Sequence, residues 1–278
     1  AAQVGAAFAL DHTKDYIAPY YRDMGVVLHF GMTAKDLMLS AFAKAEDPNS
    51  GGRQMPGHFG QKKNRILTGS SPVTTQLPHA VGVALAGKMQ QKDFITFVTL
   101  GEGSSNQGDF HEGANFAGVH KLPVIIMVEN NQYAISVPVE RQLGCAQVSD
   151  RAIGYGMPGV TVDGKNPLEV YKVIKEAADR ARSGGGPSLI ETVTFRLTAH
   201  SSDDDDRQYR TAEDIAEGKA KDPILLFEAY LKDRGIADDK LFEQINDRVM
   251  QTVNEATDYA ENAAYASPEH AMRFVYAE

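Results

Sequence analysis

The residue types best suited to chemistry gather in two short runs, GEGSSNQG at 101–108 and ENNQYAIS at 129–136. Glu102 offers a hard carboxylate, Asn131 a side-chain amide oxygen, and the backbone of Tyr133 a carbonyl oxygen. That set suits Mg²⁺, which takes oxygen ligands in an octahedron, commonly one or two carboxylates completed by phosphate oxygens and water. Gly101 and Gly103 let a backbone approach phosphates closely, and Ser104 leads on toward a helix whose first N–H groups can face an anion. Alone, a Gly-x-Gly turn or an Asn-Asn pair is an ordinary loop. Together, with the 26 residues 104–129 between Gly103 and Asn130, they read as one site for a cation and a diphosphate.

Each run follows a short, continuous apolar stretch, FITFVTL at 94–100 and LPVIIMVE at 122–129. Such stretches have the composition of strands buried on both faces of a parallel sheet. Between and around them lie helical segments. Leu77, Val81, Leu85 and Met89 set a helix over about 74–90, and another follows Gly108. The pattern continues with GVTVDG at 159–164, a helix from about Pro167 to Arg182, and SLIETVTF at 188–195. This alternation predicts an α/β fold with a doubly wound, mostly parallel sheet, whose ligands bind beyond the carboxyl ends of the strands. Upstream, a helix over 33–44 precedes a loop over 47–72 rich in Gly, Pro, Asn and Ser, of a length that usually signals function or disorder. Downstream of a polar loop at 196–211 the chain turns helical, with PILLFEAYLKDRG closing at Gly235 and a longer helix over about 238–262. The expectation is a single domain over 1–278 with a helical C-terminal extension over 212–278. The opening AAQVGAAFAL reads as helix interior without its cap, so a truncated N-terminus is expected.

Composition narrows the function. With 42% hydrophobic residues and one cysteine, Cys145, the chain reads as globular and without an intrachain disulfide, as in a reducing compartment. Cytoplasmic location is the expectation, or the mitochondrial matrix if the source is eukaryotic. A formal charge of -9, with the Lys and Arg residues scattered, argues against nucleic acid. The apolar runs are far shorter than the ~20 residues that span a bilayer, so no membrane partner is expected. Gly82 to Lys88 matches the front of a phosphate-binding P-loop, but Met89 stands where Ser or Thr would ligate Mg²⁺, and the run falls inside a predicted helix. Asn106 replaces the third glycine of a dinucleotide fingerprint, which disfavours NAD.

The paired runs resemble the thiamine diphosphate motif, and the resemblance extends through YYRDMG at 20–25, GGRQMPGH at 51–58, TGSSPVTTQLPHAVG at 68–82, NFAGVHKLPVI at 115–125 and RLTAHSSDDDDRQYR at 196–210. The chain is similar to the E1 α subunits of branched-chain 2-oxo acid dehydrogenases. The resemblance implies a thiamine-diphosphate-binding fold and oxidative decarboxylation of a small 2-oxo acid, with acyl transfer to a lipoyl-bearing E2 acyltransferase. It implies Mg²⁺ on Glu102, Asn131 and the Tyr133 carbonyl. Tyr21 and Arg22 would reach the diphosphate, and Ser71 and Val73 would contact the cofactor. A potassium loop would lie at Ser70, Pro72, Thr75 and Gln76. His200 is implied as the active-site histidine, with His58 as a second catalytic candidate, and Arg196, Tyr209 and Arg210 as residues that order the His200 loop. An E1 β subunit would supply the carboxylate that activates the cofactor, in an α₂β₂ heterotetramer. Two departures stand out. Glu102 replaces the usual Asp of the motif, and Glu129 stands where animal branched-chain enzymes carry Arg, so Arg22 should bear more of the phosphate charge. Pyruvate and acetoin dehydrogenase E1 α subunits share these motifs, and a non-catalytic subunit of the same fold is a further alternative.

Overall fold

The computed structural model describes residues 1–273, so the last five residues of the expected 1–278 domain lie outside the described residues. Helix α1 (Ala2–Phe8), strand β1 (Tyr16–Ala18), helix α2 (Met24–His29) and helix α3 (Ala34–Ala41) come first. Thr33 caps α3 through a capping box with Asp36, which satisfies two otherwise orphaned N–H groups at the helix start. The 47–72 stretch is a loop with one short 3₁₀ turn, Lys62–Asn64. Then follow α4 (Gln76–Met89), β2 (Thr96–Gly101), α5 (Gly108–Val119) and β3 (Val124–Asn130). A small hairpin, β4 (Tyr133–Ala134) and β5 (Val137–Pro138), leads to β6 (Gly159–Asp163), α6 (Pro167–Arg182) and β7 (Ser188–Val193). The helical close is α7 (Ala212–Ala220), α8 (Pro223–Asp233) and α9 (Asp239–Asn262).

Five strands form one parallel sheet in the order β1-β2-β3-β7-β6. Successive strand residues point to opposite faces, and both faces are covered. Ile17, Phe97, Ile125, Met127 and Ile190 pack toward α1, α2 and α6. Ala18, Val98, Leu100, Ile126, Val128 and Leu189 pack toward α4 and α5. Two-sided burial explains why β3 reads as an unbroken apolar run: all seven of its residues are buried. The Gly82–Lys88 run lies within α4, with no room for a Cβ at Gly87 against Phe94. This is helix packing and not a phosphate loop.

Some boundaries differ from the sequence reading. The helix expected from Thr74 begins at Gln76, because Thr74 sits at φ +77, outside the helical region. The strand expected from Phe94 begins at Thr96, and Phe94 instead packs its ring 4.8 Å from that of Tyr16. The C-terminal helices have a different character from the sheet. None of the residues of α8 is buried, and α9 buries only Ala256 and Ala260. The buried Lys44 donates to the carbonyls of Glu261 at 3.1 Å and Ala263 at 2.9 Å, closing the end of α9, where a cation also meets the negative end of the helix dipole.

Candidate active site

All five strands run the same way, so the ends of β1, β2, β3 and β7 open at one edge. There Tyr20, Tyr21, Arg22, Val73, Gly101, Glu102, Gly103, Ser104, Asn131, Tyr133 and His200 line one cavity of about 340 Å³. Ser71 and His58 stand apart from this lining, as do Ser70, Pro72, Thr75 and Gln76 of the expected potassium loop and the loop-ordering Arg196, Tyr209 and Arg210. Ser71 and His58 bond to each other instead, Ser71 Oγ lying 2.5 Å from His58 Nε2. His58 Nδ1 lies 2.8 Å from the Met55 carbonyl. A carbonyl only accepts, so Nδ1 carries the proton and Nε2 accepts from the Ser71 hydroxyl. The loop approaches the cavity through Gly57, where a Cβ would lie 2.9 Å from Tyr21 Cβ.

Glu102 follows β2 directly and is 1% exposed. Its carboxylate receives two long contacts, from the Asn131 N–H at 3.3 Å and from Gln142 Nε2 at 3.3 Å, beyond the usual range for N–H···O bonds. Burial raises its pKa, partly offset by these donors and by Arg196. An ionised carboxylate this poorly compensated calls for a cation. The Asn-Asn pair divides its labour. Asn130 is structural: its Nδ2 donates to the buried Glu191 at 2.7 Å and its Oδ1 accepts from the Gln132 N–H at 3.0 Å. Asn131 lines the cavity, its Oδ1 holding the Tyr133 N–H at 3.3 Å. One carboxylate, one amide oxygen and one carbonyl suit a hard cation shared with phosphates. Among the described residues no group of three or more His, Cys, Asp and Glu could hold a metal.

Arg22 projects from the turn between β1 and α2. Its Nη2 lies 3.1 Å from His200 Nδ1, while its Nε is buried without a partner. An unsatisfied guanidinium N–H beside the glycine turn fits a phosphate oxygen. Arginine only donates, so His200 Nδ1 accepts and the neutral ring keeps its proton on Nε2. Burial, reinforced by Arg22 and Arg196 against Asp204, holds the His200 pKa below its ordinary value. The His200 loop is tied down by side-chain bonds. Asp204 accepts from the His200 backbone N–H at 2.7 Å and from the Tyr209 hydroxyl, and Arg196 Nη2 donates to Tyr209 Oη at 2.7 Å. Arg210 pairs with Asp206 at 3.0 Å.

Glu129 has a role that the sequence reading did not foresee. It is buried, and its carboxylate accepts from the Tyr20 hydroxyl at 3.1 Å and from Gln3 Nε2 at 3.1 Å. Gln3 also donates to the Arg22 carbonyl at 2.9 Å. The carboxylate therefore braces the Tyr20–Arg22 strip from behind. Its neighbour Asp23 is fully buried, and burial together with Glu129 raises the Asp23 pKa well above the carboxylate range. Gln3 and Gln142 lie in none of the motifs that mark the site, and Thr74 lies within the 68–82 motif without a role assigned to it there.

Sheet and site together define an α/β protein whose cavity, at the ends of adjacent parallel strands, gathers a buried carboxylate, an amide oxygen and an unpartnered arginine N–H. The family model of the dehydrogenase E1 component matches residues 1–269. The chain belongs to this family, which depends on thiamine diphosphate and works with a β subunit and an E2 component in a complex. Among relatives, the 2-oxoisovalerate dehydrogenase subunit alpha of Bacillus subtilis (strain 168) is 70% identical over 278 residues, covering 100% of this chain and 84% of that protein. The 3-methyl-2-oxobutanoate dehydrogenase subunit alpha of Mycobacterium tuberculosis (strain ATCC 25618 / H37Rv) is 38% identical, covering 100% and 73%. The pyruvate dehydrogenase E1 component subunit alpha of Staphylococcus aureus (strain N315) is 35% identical, covering 99% and 72%.

Proposed function

We propose that the chain is the α subunit of a branched-chain 2-oxo acid dehydrogenase E1 component, with Mg²⁺ and thiamine diphosphate bound at the β2 and β3 strand ends. The observation that carries this reading is the buried, undercompensated Glu102 carboxylate beside Asn131 and the Tyr133 carbonyl, with the unpartnered Arg22 Nε on the same cavity. The high identity to the 2-oxoisovalerate enzyme, against 35% to the pyruvate enzyme, supports the branched substrate over pyruvate.

Bound here, thiamine diphosphate supplies the electron sink for loss of CO₂ from a 2-oxo acid. Glu102, Asn131 and the Tyr133 carbonyl hold the cation. Gly101 and Gly103 admit the diphosphate, Ser104 and Arg22 bind it, and Tyr21 and Val73 wall the cavity. His200 presents its Nε2 proton to the reacting centre, with Arg22 and the Asp204 anchor fixing the ring, a placement suited to proton transfer. His58 and Ser71 form a second hydrogen-bonding pair at the mouth. A potassium loop at Ser70, Pro72, Thr75 and Gln76 belongs to the same reading; Gln76 donates its Nε2 to the Thr99 carbonyl at 2.9 Å, which leaves its Oε1 for the ion. The chain acts as one thiamine-diphosphate-binding domain, with the described residues from 212 onward as its helical part. It pairs with an E1 β subunit as α₂β₂ and hands its acyl group to the lipoyl arm of E2. We place it in the bacterial cytoplasm; among the described residues no helix is long and apolar enough to cross a membrane.

The test is decarboxylation by the chain co-expressed with its β partner, with 3-methyl-2-oxobutanoate and pyruvate in competition. Turnover that requires thiamine diphosphate and Mg²⁺ and favours the branched acid supports the reading. Preference for pyruvate moves the chain to the sister activity, and no cofactor-dependent turnover from an assembled complex overturns it.

A further inference from the structure

The turn that carries Gly103 and Ser104 is held from outside the cavity by residues that do not line it. Ser105 is fully buried, and its hydroxyl donates to the Glu102 carbonyl at 2.6 Å. Thr74, also fully buried, donates to the Ser104 carbonyl at 2.7 Å. Arg151 comes from the 3₁₀ segment Val148–Tyr155, whose Val148 and Ala152 sit in the core below α5. Its Nη1 donates to the Ser105 carbonyl and, at 2.9 Å, to Ser105 Oγ, while Nη2 donates to Asn106 Oδ1 at 2.7 Å. Three donors thus fix the carbonyls of residues 102, 104 and 105.

In a planar trans peptide the carbonyl and the next N–H point in opposite directions. Fixing the Glu102 carbonyl therefore fixes the direction of the Gly103 N–H. The other side of the turn is closed too, since a Cβ at Gly103 would lie 2.5 Å from Ala134 Cβ. The turn cannot slide toward the hairpin, and its outer carbonyls cannot swing. Arg151 suits this task better than lysine, because the planar guanidinium reaches several acceptors at once in a fixed fork.

We propose that Arg151, together with Thr74, is a positioning residue that preorganises the Gly103–Ser104 turn for the diphosphate. The inference rests on the cofactor placement proposed above. Removing either residue leaves the cation ligands intact but frees the turn, so the cost falls on cofactor affinity and not on the chemical step. Thr74 adds a second constraint, because it holds φ +77, a backbone conformation that is rare for residues other than glycine.

The experiment is calorimetric titration of thiamine diphosphate, in saturating Mg²⁺, into the assembled α–β complex, beside kcat at saturating cofactor and thermal denaturation of the unloaded complex. Arg151→Met and Thr74→Val should each raise the cofactor Kd by ~10-fold or more, the equivalent of ~1.4 kcal/mol, with kcat at saturation within about threefold of the parent. Arg151→Lys should fall between parent and methionine variant, and Thr74→Ser, which keeps the hydroxyl, should stay near the parent. If Arg151→Met cannot be assembled, Arg151→Lys and Thr74→Val carry the test. An unchanged Kd in the variants that lose these donors, or a loss of thermal stability with Kd unmoved, overturns the proposal. Failure of the parent complex to bind the cofactor would instead overturn the functional reading on which it rests.

Discussion

Glu102 and Asn131 stand at the ends of β2 and β3, neighbours paired in register from Thr96 with Val124 to Gly101 with Glu129, whereas His58, Ser71 and His200 are carried by loops. The strand-end half inherits its geometry from a sheet buried on both faces, and its backbone is fixed before any ligand arrives. The loop half owes its geometry to side-chain bonds: Arg22 and Asp204 on His200, Met55 and Ser71 on His58. Preorganisation by the sheet suits binding of a cation and diphosphate, and adjustable loops suit proton movement around a substrate that must come and go.

The contrast breaks most readily at His200. His200→Gln should lower kcat by ~10²–10⁴-fold, the usual worth of a positioned acid or base, while calorimetric affinity for thiamine diphosphate stays within a few-fold. A large loss of affinity would place His200 with the binding half. Glu102→Gln should do the converse and weaken Mg²⁺-dependent cofactor binding by ~100-fold or more, since even residues that only support a metal ligand cost 10–100-fold; unchanged Mg²⁺ dependence would remove Glu102 from the cation.

Arg22 joins the two halves, and Arg22→Met sharpens the comparison through pH. Burial first, then Arg22 and Arg196, depress the His200 pKa, so removing Arg22 should move it upward, read by NMR titration of the His200 Cε1–H. The depressed value means that an unfolded chain takes up this proton before the folded one. The neutral ring's contribution to stability is therefore present above ~6.5 and is lost as pH falls from there through the lower folded value, and Arg22→Met, by raising the folded value, should narrow that window from below and make the loss smaller. A downward shift would contradict the observed contact. The smallest effect belongs to His58→Asn, where loss of one partly exposed bond to Ser71 should cost about 1 kcal/mol in cofactor or substrate binding, or roughly fivefold in KM. A loss as large as that at His200 would make His58 a catalytic residue in its own right.

How legible each half was in the sequence follows from the same physics. Glu102 and Asn131 could be read because each lies one or two residues past an apolar run whose two-sided burial leaves a recognisable pattern. The long helices α6 and α9 were legible through Pro167 behind the Asn166 cap and through the Asp238 cap. Strand β1 was not, because three residues show no periodicity and its identity comes from pairing with β2 on one side and a bridge from Ile17 to Ile66 on the other. His200 could be found only through resemblance, since a histidine in a polar loop has no local mark. The roles of Arg151, Thr74, Gln142 and Gln3 were invisible for a different reason: each acts on the site through hydrogen bonds to residues 19 or more positions away in the sequence. Glu129 read as a lost phosphate contact, and the structure shows it bracing Tyr20 and Gln3 behind the site.

Both halves of the site depend on the proposed cation among Glu102, Asn131 and the Tyr133 carbonyl at the diphosphate. Anomalous diffraction from crystals of the α–β complex loaded with thiamine diphosphate and Mn²⁺ in place of Mg²⁺ tests it directly. One strong peak is expected within coordination distance of the Glu102 carboxylate, Asn131 Oδ1 and the Tyr133 carbonyl oxygen, lost in Glu102→Gln. A peak elsewhere, or a bound cofactor with no cation at these three oxygens, would contradict it.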